Sequence, residues 1–227
     1  MKMTKLEQSV KTCDLFDCDI DFFCDLFAKA KYPWELLPKI EETISNLLKK
    51  GISGYNKHGD SLLVGKNVKI SHTAVIEGNV VIGDGSEVRP GAYIRGNVII
   101  GPHCVIGNST ELKNCILLRH VQAPHYNYVG DSVLGNGAHM GAGSICSNLK
   151  SDGRAVTVHG DKEYETNLRK VGAFIGDAAE IGCGSVLNPG AVIGKGASVY
   201  PLTSVRGVIP AGAIVKSPSE IVLRVVE

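Results

Sequence analysis

Aliphatic residues recur at every sixth position through the middle of the chain. A second residue of limited size, from Val68 in the first repeat to Thr110 in the eighth, follows each of them by four positions. A period of six fits neither the 3.6-residue period of a helix nor the two-residue alternation of a simple strand. It predicts short strands joined by tight turns, with three repeats closing a coil of about 18 residues. The repeating aliphatic residues are Val64, Ile70, Ile76, Ile82, Val88, Ile94, Ile100, Ile106 and Leu112.

The repeat is disturbed after Leu112. Its register shortens by one residue twice, so that new series start at Leu117 and at Leu134. Between 147 and 170 the pattern is lost in a polar, charged stretch, for which we predict a loop thrown out from the coil. The repeat resumes at Ile175. The other aliphatic or small positions of these later series are Ala123, Val129, Met140, Cys146, Ile181, Leu187, Ile193, Val199 and Val205.

The N-terminal quarter has a different pattern, with apolar residues at helical spacing. One predicted helix carries Ile40, Ile44 and Leu48 on one face, has Pro38 near its first turn and ends at Gly51. A shorter apolar stripe predicts a second helix before it. That stripe is formed by Ile20, Phe23, Cys24 and Phe27.

These patterns divide the chain into three parts. We predict a helical N-terminal cap at 1–60, a parallel β-helix at 61–215 with the loop insertion at 147–170, and a C-terminal tail at 216–227. The predicted fold class is therefore all-β with a small α-helical addition. Because the open end of a β-helix exposes unpaired backbone and an apolar interior, we expect the helices to cover that end.

Composition excludes several classes of partner. Lys and Arg number 24 against 23 Asp and Glu, so the balance of charge favours neither nucleic acid nor a membrane surface as the partner. No window approaches the roughly 18 apolar residues of a spanning helix, and the N-terminus has no apolar signal segment, so we expect a cytoplasmic protein. The seven cysteines are odd in number and lie mostly among repeat residues, which indicates reduced thiols. Cys13, Cys18 and Cys24 lack the short spacing of a zinc site, and we predict no metal.

Candidate chemistry lies where the repeat is irregular, between 108 and 160. The segment QAPHYNYVGDS carries His125 and Tyr128, and Arg89, Lys113 and Asn148 flank it. Imidazole can move a proton near neutral pH, while guanidinium and ammonium groups suit a phosphate. The sequence would bring Lys113 and Tyr128 to neighbouring levels of one wall if the shortened repeats are absorbed at corners.

These segments resemble the acetyltransferase domain of the bacterial bifunctional N-acetylglucosamine-1-phosphate uridyltransferases. They are still more similar to the C-terminal domain of the archaeal bifunctional sugar-1-phosphate nucleotidylyltransferases. The segments that match, in order, are VRPGA, ELKN, PHYNYVGDS, LGNGAHMGAGS and SNL. The likeness covers about 64–215 and is most specific in PHYNYVGD followed by MGAG. Residues 1–60 contain no Gly-rich phosphate loop of the family's nucleotidyltransferase domain, so we expect no uridyltransferase activity.

The resemblance implies a left-handed β-helix, a homotrimer with active sites between subunits, and acetyl transfer from acetyl-CoA to an amino-sugar 1-phosphate, of the glucosamine or galactosamine class. By this resemblance His125 is the general base, Tyr128 and Asn148 contact the sugar, and Arg89 and Lys113 bind the phosphate. Acetyl-CoA would lie along the groove beyond residue 170, at residues that the resemblance leaves unknown. The chain departs from the bacterial pattern at His139, where that pattern has asparagine, and at Leu149, where it has tyrosine.

Two other functions stay open. The departures at His139 and Leu149 are compatible with a β-helix that binds a sugar phosphate or sugar nucleotide without acetylating it. His103, His120 and His125 resemble the three histidine ligands that γ-class carbonic anhydrases place between subunits. Measuring the metal content of the purified protein would distinguish that hypothesis from an acetyltransferase.

Overall fold

The structure is a computed structural model that describes residues 9–223. It contains the predicted left-handed parallel β-helix of hexapeptide repeats, together with a small N-terminal helical region. The coil has three walls, which we call A, B and C in the order in which the chain enters them. Parallel pairing between equivalent strands of successive coils builds each wall.

The walls are as follows. Wall A consists of Leu62–Val64, the second halves of Val75–Ile82, Tyr93–Ile100 and Glu111–Leu117, then Val133–Leu134, Ala173–Ile175, Ala191–Ile193 and Val208–Ile209. Wall B consists of Lys69–Ile70, Glu87–Val88, Val105–Asn108, Gln122–His125, His139–Met140, Glu180–Ile181, Ser198–Val199 and Ala213–Ser217. Wall C consists of the first halves of the three long strands, then Tyr128–Gly130, Ile145–Cys146, Val186–Leu187 and Ser204–Val205.

An antiparallel strand flanks each end of the coil. Asn56–His58 pairs with Leu62–Val64 at the start, and Glu220–Leu223 pairs with Ala213–Ser217 at the finish. The repeating aliphatic residues fill the interior, where Ile94, for example, is fully buried. Ile70 is 40% exposed, because it belongs to the first coil and has no earlier coil to cover it.

The two shortened repeats lie at the same corner, between walls C and A. Arg95 pairs with Lys113 across 18 residues, but Val98 pairs with Cys115 across 17, so one residue is lost at Asn114. The next coil loses its residue at Asp131. Asn114 and Asp131 both adopt left-handed backbone conformations, with φ of 46°, which Asn and Asp tolerate better than most residues. Corners therefore absorb the shortened repeats, which is the condition under which the sequence places Lys113 and Tyr128 at neighbouring levels of one wall.

Wall A is apolar on its outer face as well as inside the coil. Each of its rungs carries adjacent aliphatic or aromatic residues, so one side chain points inward and the next outward. A second buried cluster forms on this outer face. Its members from the wall include Leu63, Val81, Ile99, Ile116, Val133, Phe174, Val192 and Val208.

The N-terminal helices cover this outer face, whereas the sequence led us to expect them over the open end of the coil. The physical reason is the larger apolar area that wall A offers along its whole length. The predicted helix is present as Ile40–Lys50, with Ile40, Ile44 and Leu48 buried and Gly51 at its C-terminus with φ of 76°. The remaining helical segments are Thr12–Leu15, Cys24–Lys29 and the 3₁₀ turns Pro33–Glu35 and Leu37–Lys39.

The insertion also packs on wall A. It contains an antiparallel hairpin of Thr157–His159 and Glu163–Glu165, and Leu149 bridges to Lys170 at its base. Tyr164 of the hairpin meets Trp34 of the helical region edge-on, at 6.1 Å between ring centroids. The insertion and the N-terminal region thus form one continuous cover over wall A.

Candidate functional site

Three of the five predicted site residues come together near the corner between walls C and A. Tyr128 pairs with Glu111 of the coil before it and with Ile145 of the coil after it. Lys113 pairs with Gly130, and Asn148 follows the strand Ile145–Cys146 where the insertion begins. Lys113, Tyr128 and Asn148 therefore belong to three successive coils.

A buried carboxylate joins these side chains. Asp131 Oδ2 accepts hydrogen bonds from Lys113 Nζ at 3.1 Å and from Asn148 Nδ2 at 2.5 Å. Asp131 Oδ1 accepts one from Asn114 Nδ2 at 2.9 Å. Asn148 Nδ2 also lies 3.1 Å from the phenol oxygen of Tyr128, to which it donates. We call these five residues the Asp131 network.

Burial differs across the network. The Asp131 side chain is 7% exposed and that of Lys113 is 19% exposed, so the carboxylate is anchored inside while the ammonium reaches the surface. Burial raises the pKa of the Tyr128 phenol above its ordinary value, and the nearby carboxylate of Glu111 adds to the rise. Tyr128 is therefore a neutral hydroxyl at physiological pH, able to donate and accept hydrogen bonds.

Gly130 leaves room for this arrangement. A Cβ at this position would lie 2.5 Å from the Tyr128 hydroxyl and 2.7 Å from Asn148 Nδ2. Any larger residue would displace the two side chains that the resemblance assigns to sugar binding. Position 130 therefore requires glycine because the side chains of Tyr128 and Asn148 pack directly against its Cα.

Arg89 and His125 lie at a different corner, between walls B and C. Arg89 Nε pairs with Glu87 Oε1 at 3.2 Å. His125 has an exposed side chain, and its backbone N–H donates to Asn127 Oδ1 at 3.1 Å. Within residues 9–223, no hydrogen bond or ion pair links Arg89 or His125 to the Asp131 network. The strand Tyr128–Gly130 runs between the two corners.

The cations of this region are matched by carboxylates. Besides the pairs of Arg89 and Lys113, Arg95 Nε contacts Glu111 Oε1 at 2.7 Å on wall C. The pairs of Arg89 and Arg95 are largely exposed and contribute little to stability. Their consequence for the surface is charge neutrality, so a bound phosphate would share each cation with a carboxylate.

A cleft of about 500 Å³ opens beside the network, between the insertion and the later coils. Lys150 and Arg206 bring positive charge to it, Asp152 of the same lining pairs with Lys150 at 3.4 Å, and Asn188 brings an amide. His159 accepts from Arg206 Nη2 at 3.0 Å through Nε2, while its Nδ1 faces Glu163 at 2.8 Å. Ser147 and Leu149, which flank Asn148 in the chain, are also in its lining.

Three further histidines, His103, His120 and His139, lie outside the network and the cleft. The rings of His103 and His120 stack on neighbouring coils with centroids 5.0 Å apart. No group of three or more metal-ligating side chains was found in the described part of the chain. His139 Nδ1 lies 2.8 Å from Glu180 Oε2 on wall B, and Leu149 is 44% exposed.

The sequence motifs did not identify Asp131 and Asn114 as members of the site. The signal that could have found them is the shortened repeat itself, because both lie where a residue is lost from the six-residue spacing. The residues of the cleft were also missed, since Lys150 and His159 lie in the insertion and Arg206 lies in a later coil.

None of the helices between residues 9 and 223 has the length and hydrophobicity of a membrane-spanning segment.

Six-residue repeats wound into a parallel β-helix, with polar residues gathered at an irregular corner, define a hexapeptide-repeat protein. Residues 76–164 match the family described as the GMPPB C-terminal domain. The bifunctional protein GlmU of Methanococcus aeolicus is 33% identical over 210 residues, which cover 85% of the chain and 47% of that protein. The bifunctional sugar-1-phosphate nucleotidylyltransferase/acetyltransferase of Sulfurisphaera tokodaii is 35% identical over 182 residues, covering 74% of the chain and 43% of that protein.

These similarities confirm the resemblance that the sequence motifs predict. The chain spans less than half the length of these two relatives. Among solved structures, WeeI from Acinetobacter baumannii AYE is 22% identical, with a TM-score of 0.39 over 82% of the chain and 66% of that protein.

Proposed function

We propose that the protein is an acetyltransferase that transfers the acetyl group of acetyl-CoA to the amine of an amino-sugar 1-phosphate, of the glucosamine or galactosamine class. The observation that carries the proposal is that Lys113 and Asn148 both donate to Asp131 while Asn148 also donates to the Tyr128 hydroxyl. The names of the relatives, which include a sugar-1-phosphate nucleotidylyltransferase/acetyltransferase, support the same reaction class.

The strand Tyr128–Gly130 is the proposed floor of the sugar site. Tyr128 and Asn148 offer hydrogen-bonding groups to sugar hydroxyls, and Lys113 offers its ammonium to the phosphate. Fixing the phosphate would hold the amine in place for attack, which is largely an effect of orientation. Polar groups held by a buried anchor lose less conformational freedom when they bind a ligand.

His125 is the proposed general base. Its side chain is exposed and free to meet a substrate, and imidazole is a suitable base near neutral pH. As the amine nitrogen bonds to the acetyl carbon, His125 takes a proton from it. The carbon–sulfur bond of the thioester breaks, and the proton returns to the sulfur as coenzyme A leaves.

The distance between the corners bears on assembly. His125 and Gly130 are five residues apart, so the ends of this rung lie at most about 16 Å apart. Arg89 and His125 share one corner, so both would reach a sugar phosphate held at Lys113 most directly from another protomer. This geometry supports the homotrimer that the resemblance implies, with sites shared between subunits.

Exposed apolar residues indicate where protomers would meet. Wall A is covered by the chain's own helices, whereas walls B and C are open. Tyr126 is 64% exposed and Leu202 is 85% exposed, both at the corner between walls B and C. Val75 and Ile145 add 48% and 37% exposure on wall C. Apolar surface of this kind is typical of contact regions.

The cleft beside Asn148 is the proposed place for acetyl-CoA. Its cations, Lys150 and Arg206, suit the phosphates of that co-substrate. Its position next to Asn148 would bring a thioester toward the proposed sugar site. This assignment agrees with the expectation that acetyl-CoA lies along the later coils.

The test is acetylation of glucosamine 1-phosphate and galactosamine 1-phosphate by purified protein with acetyl-CoA. Product should be detected by mass spectrometry, because exposed Cys13 and Cys183 would react with a thiol reagent. We expect an N-acetylated product from at least one sugar, and a loss of about a hundredfold or more in kcat for His125→Ala. Binding of both sugars without product would refute catalysis and favour the non-catalytic alternative.

A further inference from the structure

Asp131 differs from the other carboxylates of walls B and C in its burial and in the number of donors it accepts. Glu87 and Glu111 each have one ion-pair partner and side chains that are 44% and 32% exposed. Asp131 is 7% exposed and accepts from Lys113, Asn114 and Asn148. A carboxylate this buried requires such partners, because an unpaired buried charge is costly.

Its backbone is fixed as firmly as its side chain. The N–H of Asp131 donates to the carbonyl of Lys113 at 2.9 Å, and its own carbonyl accepts from Gly172 at 2.7 Å. A Cβ on Gly172 would lie 2.1 Å from the carbonyl oxygen of Gly130, so the chain leaving the insertion passes directly against this corner. Asp131 is therefore held between the coil before it and the end of the insertion.

The donors come from parts of the chain that could otherwise move independently. Lys113 has a long flexible side chain, and Asn148 begins an insertion of more than twenty residues. One carboxylate oxygen receives both of them. An ammonium has three donor hydrogens, so two remain for other partners after one is given to Asp131.

We propose that Asp131 is a positioning residue for the sugar-phosphate site: it sets the distance and direction between the ammonium of Lys113 and the amide of Asn148, and through that amide it positions the Tyr128 hydroxyl. The inference rests on the proposed function for its substrate. It gives a role to a residue to which neither the sequence motifs nor the names of the relatives assign one.

The informative substitution is Asp131→Asn, which keeps the shape and removes the charge. Its amide has one acceptor oxygen and one donor nitrogen, while the three surrounding groups are all donors. The amide oxygen can still face both Lys113 and Asn148, but it no longer carries the charge that holds the ammonium, and the amide nitrogen turns a donor toward Asn114. Because a hydrogen bond to a charged group is worth more than a neutral one, we expect KM for the sugar phosphate to rise about tenfold to a hundredfold. KM for acetyl-CoA should change by less than about threefold.

A double-mutant cycle distinguishes a positioning effect of Asp131 on Lys113 from a nonspecific disturbance of the structure. If Asp131 acts through Lys113, then Lys113→Ala should cost much less in the Asp131→Asn background than in the wild type. The matched control is Glu220→Gln, which breaks the Lys216–Glu220 pair of 3.0 Å on the last strands, away from the corner. This control should leave both KM values unchanged.

A second readout does not depend on activity. The rate at which an amine-reactive ester labels Lys113, followed by peptide mass mapping, should rise about tenfold in Asp131→Asn, because the ammonium loses its charged hydrogen-bond partner. If the wild type neither binds nor acetylates the sugar phosphates, the proposed function fails while this labelling still tests the positioning. Unchanged labelling of Lys113, or additive effects in the cycle, would overturn the positioning role.

Discussion

Gly130→Ala should separate the proposed activity from folding more cleanly than any other glycine substitution in the coil. The three atoms nearest to the new Cβ would all be side-chain atoms of Tyr128 and Asn148, at 2.5 to 2.7 Å. Gly130 is also outside the set of residues with left-handed φ, so alanine is compatible with its backbone. The fold can therefore accept the methyl group if those two side chains retreat.

The required movement follows from the contact distance. Ordinary van der Waals contact begins near 3.4 Å, so the Tyr128 hydroxyl must withdraw by roughly 1 Å. A misplacement of this size in a substrate-positioning group can cost about a hundredfold in rate. The bond between Asn148 and Tyr128 would weaken at a cost of about 1 kcal/mol, which the reduced flexibility of the unfolded chain roughly offsets.

We therefore expect kcat/KM for the sugar phosphate to fall about tenfold to a hundredfold, with the free energy of unfolding in urea changed by less than about 1 kcal/mol. The contrasting variant is Gly172→Ala, whose Cβ would strike the carbonyl oxygen of Gly130 at 2.1 Å and should destabilise the fold. Unaltered kcat/KM in well-folded Gly130→Ala would show that the positions of Tyr128 and Asn148 do not matter for the reaction.

Three further predictions test the cover, the assembly and the core. Trp34→Ala should lower the free energy of unfolding by about 3–5 kcal/mol in urea, since the ring is 4% exposed and lies between Tyr32, Tyr164 and Phe174; a smaller loss would mean that the helical cover is loosely attached. Leu202→Asp should shift the protein from trimer to monomer in light scattering, whereas Asn46→Asp on the exposed side of the cover should not. Burial raises the pKa of the Cys104 and Cys146 thiols from 9.0 to about 12, so the folded state keeps protons that the unfolded state releases. The free energy of unfolding should fall as pH rises from 9 toward 12, by about 1 kcal/mol per thiol between pH 9 and 10. The Cys146→Ala variant should lose less of its free energy of unfolding than the wild type over the same range, because it has one buried thiol fewer.

The six-residue period was sufficient to predict the coil. Each inward aliphatic position from Ile82 to Leu112 is buried in one continuous core, because the interior of a narrow coil accepts side chains only at that spacing. The helix Ile40–Lys50 was equally readable, since its apolar face, charged ends and terminal glycine are local features. The position of the helices against wall A was not readable. It depends on apolar residues that lie side by side only after the chain has wound through all its coils.

The candidate site, like the fold, was predictable from the sequence only in part. The motifs predicted Lys113, Tyr128 and Asn148, and the shortened repeats indicated that something unusual happens beside them. Sequence alone determined the coil, the helix and the residue types suited to a sugar phosphate, because these follow from local spacing and side-chain chemistry. Only the tertiary structure decided that both shortened repeats and the insertion stack at one corner, and that Asp131 receives its donors there while Arg89 and His125 lie at another. The reason is that hydrogen bonds between successive coils join residues about 17 positions apart, and which side chains share a corner depends on the summed length of every turn between them.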